Sequence, residues 1–349
     1  MRWLAAALLL LYATPAAAGP IRVEIRPDVE PRDPFVVSVT GHYASIHNGN
    51  SRHWKDAALR AGTRRFIPLG PVNPLMNMGV SVSVRHPEYV AEYARSNQTP
   101  LLLRPVDFET FRPRTWRSFL ASGGAIENGG PNYPLGQILG HFQLFLLIWL
   151  PTIDRAGDGL SASDESVRGY LPLFEDLATY AMTEAAAVRP PGYASREMQR
   201  QPDFARSMAA QEQQQRVEVQ DLLQRIREWA SVPRAQRVVV REMMEAMRSP
   251  QRLSEELMGA ADRAQIGVLL DRYADDRNAG REPEAAASWI NPDTRIAYRV
   301  RVFDPSHTCA YVGITTDLTG VVSADLGDMR QQVKAQFCRR PSGEWGYGT

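Results

Sequence analysis

The sequence contains very little cysteine, almost no lysine and no excess charge of either sign. A metal site at its only cysteines, Cys309 and Cys338, would have just His307 nearby as a further soft ligand. The 40 basic residues, all arginine except Lys55 and Lys334, oppose 39 acidic residues and leave a net charge of +1. Because the opposite charges nearly cancel, the chain has no overall positive field that would attract polyanions. Nucleic-acid partners are therefore not expected. An arginine-rich surface could bind acidic ligands, but spacing alone does not localise one.

The chain also lacks the common catalytic signatures. No glycine-rich phosphate loop follows a strand, no nucleophile elbow is present, and no Cys-x-x-Cys pair occurs. The common enzyme classes are therefore unsupported. With 44% hydrophobic and 23% charged residues, the composition is still that of a folded globular protein, and 349 residues are enough for two or three domains.

The first eighteen residues have the layout of a secretory signal peptide. Met1 and Arg2 give a positive start, residues 4–11 form a short apolar run, and residues 16–18 offer small side chains for cleavage. The apolar run is far shorter than the ~20 residues that cross a bilayer, and no cysteine follows it to accept a lipid. We therefore expect an exported bacterial protein, periplasmic or secreted, with no lipid anchor and a mature chain starting near Gly19.

Residues 19–134 are predicted to form a mixed α/β region that opens with two strands. Residues 21–25 alternate apolar and charged side chains, and residues 34–43 form a second extended run after a turn rich in Pro and Asp. The patterns further predict helices at 51–61 and 87–95, strands at 80–84 and 101–106, and a loop at 122–134.

Residues 135–280 are predicted to form a helical domain. Its first part, residues 135–153, is the most apolar stretch of the mature chain, although Gln137, His141 and Gln143 interrupt its first half. The length of this stretch allows either a buried central helix or a single membrane span. The buried helix is favoured, because a span would place both cysteines in the reducing cytoplasm. Apolar residues at helical spacing then predict two or three packed helices, the last opened by Ser249 as N-cap.

After a polar linker at 281–288, residues 289–349 are predicted to form a small antiparallel β module. Extended runs occur at 296–303, 309–315 and 333–339. In an oxidising compartment Cys309 and Cys338 indicate a disulfide, which would stabilise the module by about 3 to 4 kcal/mol in the chain-entropy estimate. Trp289 and Trp345 would pack over it as a minimal core. The whole pattern predicts an α+β protein.

The C-terminal module contains distinctive motifs. They are the run WINPDT at 289–294, Cys309, the pair Gln331-Gln332, and a closing C-R-x-P-x-G-x-W pattern at 338–345. In these the segment resembles the C-terminal domain of the small surface-antigen lipoproteins of proteobacteria, which usually follows a glycine-zipper membrane segment. The resemblance implies a β module exposed to the periplasm or cell surface, in a family without an established catalytic site. Membrane anchoring does not carry over, because the chain has no glycine zipper and no lipid-accepting cysteine, and Arg295 replaces a usual glycine.

Two groups of side chains are candidates for chemistry. His42, His47 and His53 stand close together with Asp56 following, and they could bind zinc if the intervening turn folds back. The alternative is a polar loop whose histidines face different ways. Glu88, Glu92 and Tyr93 could form an acid/base set on the helix predicted at 87–95, although solvated helix charges explain them equally well.

These observations favour an exported, non-catalytic interaction protein of the bacterial envelope. Its partner would be another envelope protein or a surface polymer. The alternative is a periplasmic metal-dependent hydrolase that uses His42, His47, His53 and Asp56, with zinc as its one possible cofactor.

Overall fold

The computed structural model describes residues 16–17, 21–44, 49–67, 71–72, 77–96, 107–122, 134–183, 202–303, 308–321 and 329–348. They form helices and mostly antiparallel sheets, which confirms the predicted α+β class. The chain divides into two compact units, Met1–Ile226 and Arg227–Thr349. Of the predicted signal peptide, only strand β1 (Ala16–Ala17) is described, and it pairs with strand β6 (Pro71–Val72).

Unit Met1–Ile226 contains two further sheets. In the four-stranded sheet the strands follow the order β4 (Gly49–Leu59), β3 (Phe35–Ala44), β7 (Asn77–His86) and β8 (Tyr89–Ser96). The three-stranded sheet has the order β5 (Arg65–Ile67), β2 (Ile21–Ile25) and β9 (Asp107–Phe111). Alternate apolar residues of both sheets meet in one buried cluster that includes Val23, Val37 and Val82. The period of two in the sequence therefore builds the core.

The structure confirms some sequence predictions in this unit and corrects others. The strands predicted at 21–25, 34–43 and 80–84 are present as β2, β3 and β7. The helices predicted at 51–61 and 87–95 are wrong, because both segments pair as strands β4 and β8 beside β3 and β7. Long-range pairing outweighed local helix propensity there. The strand predicted at 101–106 and residues 123–133 of the predicted loop lie outside the described residues.

The apolar stretch forms a helix over Pro134–Asp154 with a π-helical turn at Phe145–Trp149. Within the described ranges it is the one helix long and apolar enough to cross a membrane, and 39% of its apolar window is buried. Trp149 Nε1 donates a hydrogen bond to the Pro34 carbonyl at 3.1 Å, and His141 Nε2 donates to the Pro87 carbonyl at 2.8 Å. These bonds tie one face of the helix to the β region.

Further helices complete the first unit. They span Trp116–Ala121, Asp164–Gly169, Leu171–Thr183 and Pro202–Ser231, the last of which continues across the boundary between the units. Ser163 caps the second of them by accepting a hydrogen bond from the Ser166 N–H.

Unit Arg227–Thr349 combines helices with a five-stranded sheet. The helices after the boundary are Arg234–Met247, Pro250–Arg252 continued by a π-helical turn at Leu253–Leu257, and Ala260–Asn278. Ser249 is the N-cap, as the sequence predicts, because its side chain accepts a hydrogen bond from the Arg252 N–H. The sheet runs as a meander of β10 (Ala286–Ile290), β11 (Ala297–Phe303), β12 (Cys309–Asp317), β13 (Arg330–Arg339) and β14 (Trp345–Tyr347). Strand β10 begins inside the linker predicted at 281–288.

The inner face of this sheet packs on the helices. Val300, Val312 and Phe337 are fully buried there, in agreement with the alternation of β11 to β13. The predicted disulfide is present, and Cys309 and Cys338 are directly opposite each other on β12 and β13. They lie on the other face of the sheet from Trp289 and Trp345, so the expectation that these indoles cover the disulfide is wrong.

Both tryptophans instead contact the helix Ala260–Asn278. Trp289 Nε1 donates to Asp262 at 2.8 Å, and Trp345 Nε1 donates to Asp271 at 2.9 Å. An indole needs a partner for its N–H when it is buried, and the helix supplies a carboxylate at each position.

Candidate functional site

The predicted zinc ligands belong mostly to the hairpin of β3 and β4. His47 lies outside the described residues, and His42 and His53 are described in the backbone alone. In the strand register, residue 53 is opposite residue 40 and residue 56 is opposite residue 38. Because alternate strand positions share a side, positions 42, 53 and 56 fall on one side of the sheet. Within the part of the chain that the structure describes, no group of three or more His, Cys, Asp or Glu is placed to hold a metal ion.

The carboxylate of Asp56 already takes part in a polar network on that side. It accepts a hydrogen bond of 2.6 Å from Ser38 Oγ, which in turn accepts one of 2.6 Å from Arg85 Nη1. Burial lowers the pKa of Arg85, and the charge of Asp56 partly offsets this shift. Asp56 therefore helps to keep a half-buried guanidinium charged, and it would have to exchange these contacts to bind a metal.

The acid/base set proposed at Glu88, Glu92 and Tyr93 does not form. Glu88 lies in the turn between β7 and β8, while Glu92 and Tyr93 are neighbours on a strand and therefore point to opposite sides. Burial raises the pKa of Glu92, whereas the Tyr93 hydroxyl shares a 2.7 Å hydrogen bond with Ser81 on the other side. The error follows from the wrong helix prediction, since only a helix brings positions four apart together.

Sequence reasoning missed a buried polar cluster between the sheet and the helices of the first unit. Asp33 accepts hydrogen bonds from Ser166 Oγ and from the Tyr170 hydroxyl, the latter at 2.6 Å. His86 packs beside them against the rings of Tyr170 and Trp149, and it is only 1% exposed. Burial lowers the pKa of His86 to about 3, so the imidazole is neutral at physiological pH.

This cluster contains Ser, His and Asp but does not have the connections of a catalytic triad. In a triad the serine donates to the histidine, and the histidine donates to the aspartate. Here Ser166 donates directly to Asp33, and His86 Nδ1 accepts the backbone N–H of Glu88 at 3.2 Å. Asp33 and Ser166 are 133 positions apart in the sequence, and His86 lies between them, so no local motif marks the cluster. The arrangement joins a loop, a strand end and a helix, and each of its side chains is buried.

The exposed face of the C-terminal sheet has a different character, and we call it the outer face. It comprises the side chains that alternate with the buried ones on β10 to β13. They are Ala286, Ser288, Ile290, Ala297, Arg299, Arg301, Phe303, Cys309, Tyr311, Gly313, Thr315, Asp317, Arg330, Gln332, Lys334, Gln336 and Cys338.

The outer face carries an excess of positive charge. Arg330 Nε donates to Asp317 at 2.6 Å, and Asp317 is the one acidic residue of this face. Arg299, Arg301 and Lys334 are exposed and have no ion-pair partner among the described residues. Three cations without an ion-pair partner in the described part of the chain therefore lie on one sheet surface, although the total charge of the chain is only +1. The balanced total conceals a local positive field.

Aromatic rings lie between these cations. The Lys334 amine is 4.6 Å from the centre of the Tyr311 ring, and the Arg301 guanidinium is 5.6 Å from the centre of the Phe303 ring. Phe303 and Tyr311 are direct cross-strand partners on β11 and β12. The face thus offers cations and ring surfaces side by side, a combination suited to ligands with both charge and an apolar body.

A shallow cleft of about 370 Å³ lies at the opposite end of the outer face. Its lining includes Ile290, Arg299, Thr315 and the Arg330–Asp317 pair. Ile290 is 64% exposed there, which is unusual for a large apolar side chain beside charged groups.

A larger groove of about 830 Å³ lies on the helix side of the same unit. It runs between the helix Ala260–Asn278 and β14, and Trp345 forms part of its wall. Basic residues Arg263 and Arg340 and acidic residues Asp271 and Glu344 all line it. This mixture of charges selects no class of ligand, so the outer face is the better-defined candidate site.

Part of the outer face is readable from the sequence. The alternating run IAYRVRVF at 296–303 predicts a strand with two arginines on one side. The sequence does not reveal that Lys334 and Tyr311 join them, because the contact depends on the register of three strands.

Comparisons with known proteins place no family on this chain. No protein-family model and no curated protein matches it. Among solved structures, a 9R-lipoxygenase from Cyanothece aligns with 97% of this chain and 46% of its own, at 11% identity and a TM-score of 0.20. The chain therefore spans less than half of that protein, and so low a TM-score carries no argument about fold or activity.

Proposed function

We propose that this protein is an exported, non-catalytic interaction protein of the bacterial envelope. Its partner is another envelope protein or a surface polymer. The outer face carries the proposal, because Arg299, Arg301 and Lys334 are exposed there and have no ion-pair partner among the described residues. They lie beside the half-buried ring of Phe303 and the exposed ring of Tyr311. The signal-peptide layout and the surface-antigen resemblance of the same C-terminal segment support an envelope location.

The helix Pro134–Asp154 belongs to the core of the first unit in this proposal. Its hydrogen bonds from Trp149 and His141 to backbone carbonyls of the β region support that role. If this helix spanned a membrane, both hydrogen bonds would be broken. Lipid tails offer no hydrogen-bond partner, so the free-energy cost of the two unpaired donors would not be offset.

Sedimentation with envelope material tests the proposal. The full chain, expressed with its own leader in the producing bacterium, should sediment with the insoluble envelope fraction. The Arg301→Gln/Lys334→Gln double variant should stay in the supernatant. The matched control Arg248→Gln/Arg272→Gln also removes two exposed positive charges of the same unit, one at the C-cap of the helix Arg234–Met247 and one on the helix Ala260–Asn278. This control should sediment like the wild type. Equal sedimentation of both double variants would contradict a role for the outer face.

The metal-dependent hydrolase stays a second candidate because one backbone observation favours it. The register of β3 and β4 places positions 42, 53 and 56 on one side of the sheet. Elemental analysis of protein purified without chelators decides between the two. One equivalent of zinc in the wild type that is lost in His53→Ala would support the hydrolase. Metal-free wild-type protein would contradict the hydrolase.

A further inference from the structure

We infer that the ligand of the outer face is an acidic polysaccharide, a chain of sugar rings with repeated carboxylate or phosphate groups. This inference rests on the proposed function and narrows its partner to one chemical class. It follows from the order in which cations, rings and hydrogen-bonding side chains are arranged on the face.

The cations occupy defined rows across the strands, where a row is a set of residues directly opposite one another on neighbouring strands. Arg301 on β11, Gly313 on β12 and Lys334 on β13 are direct partners in the register. Neighbouring strands are about 4.8 Å apart, so the two positive residues flank the glycine from strands roughly 10 Å apart. Arg299 occupies the adjacent row, two residues along β11. Anionic groups spaced along an extended chain can contact these cations in succession.

The glycine between the cations leaves space for a ring. A Cβ atom at Gly313 would be 2.6 Å from Cε2 of Phe303, so the Phe303 ring occupies the position above the glycine. Tyr311 continues the ring surface on the neighbouring strand position. A sugar ring has an apolar face of C–H groups that can pack on such a surface, while its anionic substituent reaches a cation at the side.

Uncharged hydrogen-bonding groups complete the face. Thr315, Gln332 and Gln336 alternate with the cations and can donate to or accept from sugar hydroxyls. The positions from Arg330 to Phe303 cover seven rows of the register, about 20 Å at the usual rise of a strand. That length suits several consecutive sugar units, and it favours a polymer over a single small sugar.

Binding measurements with four defined polymers test the ligand class. The wild-type full chain should bind polygalacturonate, which has one carboxylate on each ring, at least about 10-fold more tightly than the other three. Dextran offers rings without charge, polyglutamate offers carboxylates without rings, and single-stranded poly(dT) offers rings and phosphates as a nucleic acid. Binding should also weaken as salt is raised, because exposed charges are screened. Equal or tighter binding of any of the other three, or no binding to polygalacturonate, would overturn the inference.

Variants assign the binding to the face. Arg301→Gln/Lys334→Gln should weaken polygalacturonate binding about 30-fold, as expected for two surface cations at an anionic partner. The control Arg248→Gln/Arg272→Gln should stay within about twofold of the wild type. Equal losses in the two double variants would show a diffuse charge effect and contradict the assigned site.

The two proposals can fail separately. If the wild type sediments with envelope material through Arg301 and Lys334 yet ignores polygalacturonate, the interaction role stands and the ligand class is wrong. If neither binding depends on these residues, both proposals are wrong.

Discussion

Trp289 Nε1 donates a hydrogen bond of 2.8 Å to the buried carboxylate of Asp262. The same carboxylate accepts the side-chain amide of Asn291 at 2.7 Å and the backbone N–H of Gly259 at 2.9 Å. One aspartate thus caps the helix Ala260–Asn278 and holds the first strand of the C-terminal sheet against it. The Trp-Ile-Asn run, which the sequence shows only as a motif, has a structural role.

Replacing Asp262 should therefore destabilise the C-terminal unit strongly. Asp262→Ala leaves three donors without their acceptor, and we expect a loss of about 3 kcal/mol in the free energy of unfolding. Denaturant unfolding measures it. The control is Asp271→Ala, which removes the carboxylate that accepts a hydrogen bond from Trp345. Because Asp271 is 48% exposed, its loss should lower the free energy of unfolding by less than about 1 kcal/mol. Equal effects of the two variants would refute the role given to Asp262.

Removing the disulfide should also destabilise this unit. The Cys309–Cys338 bridge closes a loop with a sequence separation of 29, for which the chain-entropy estimate gives about 3.5 kcal/mol. Cys309→Ser/Cys338→Ser should unfold at correspondingly lower denaturant. The wild type treated with a reductant should behave like the variant. A midpoint unchanged in both would contradict the estimate.

The buried histidines predict how stability depends on pH. Burial lowers the pKa of His141 to about 4. Between pH 6.5 and pH 4 the imidazole is therefore protonated in the unfolded chain but stays neutral in the folded chain. The stabilising effect of the neutral ring is present above pH 6.5 and is lost as the pH falls toward 4. The wild type should lose up to about 1.4 kcal/mol per pH unit relative to His141→Gln over that range.

Urea unfolding of both chains from pH 7 to pH 4.5 measures this difference. The raised pKa values of Glu88 and Glu92 act in the opposite direction, but they are common to both chains and cancel in the comparison. A stability difference that stays constant with pH would show that His141 does not titrate in this way.

The ring surface of the outer face can be disturbed without changing charge. Gly313→Ala places a methyl group where Phe303 lies, so the ring must move, and we expect a loss of about 1 kcal/mol in stability and weaker ligand binding. Gly267→Ala is the control, because its added Cβ meets Trp345 at an ordinary 3.7 Å. It should bind like the wild type. Binding by Gly313→Ala that matches the wild type would exclude the ring surface from the site.

The sequence predicts those elements whose signal is local. The alternation at 21–25 and 296–303 and the Ser249 cap are fixed by neighbouring residues, and the structure confirms all three. Residues 51–61 and 87–95 have mixed local patterns, and their strand state comes from pairing with β3 and β7. Local propensity could not show that.

The candidate sites follow the same division. The disulfide was predictable because the sequence predicts export and contains only two cysteines, which allow a single pairing. The placement of the two arginines of 296–303 on one side follows from the alternation of the strand. The Asp33–Ser166–Tyr170 cluster joins residues more than 130 positions apart, and the Lys334–Tyr311 contact depends on strand register. Neither leaves a trace in the spacing of residues along the chain.

Chemical labelling of Lys334 tests the central claim most directly. The chain has only two lysines, Lys55 and Lys334, so an amine-reactive acetylating reagent followed by peptide mass spectrometry reports on the outer face with an internal reference. With envelope material bound, acetylation of Lys334 should slow at least about 10-fold relative to free protein, while Lys55 keeps its rate. If Lys334 reacts equally fast in the bound protein, the partner does not cover the outer face, and this surface does not have the proposed binding role.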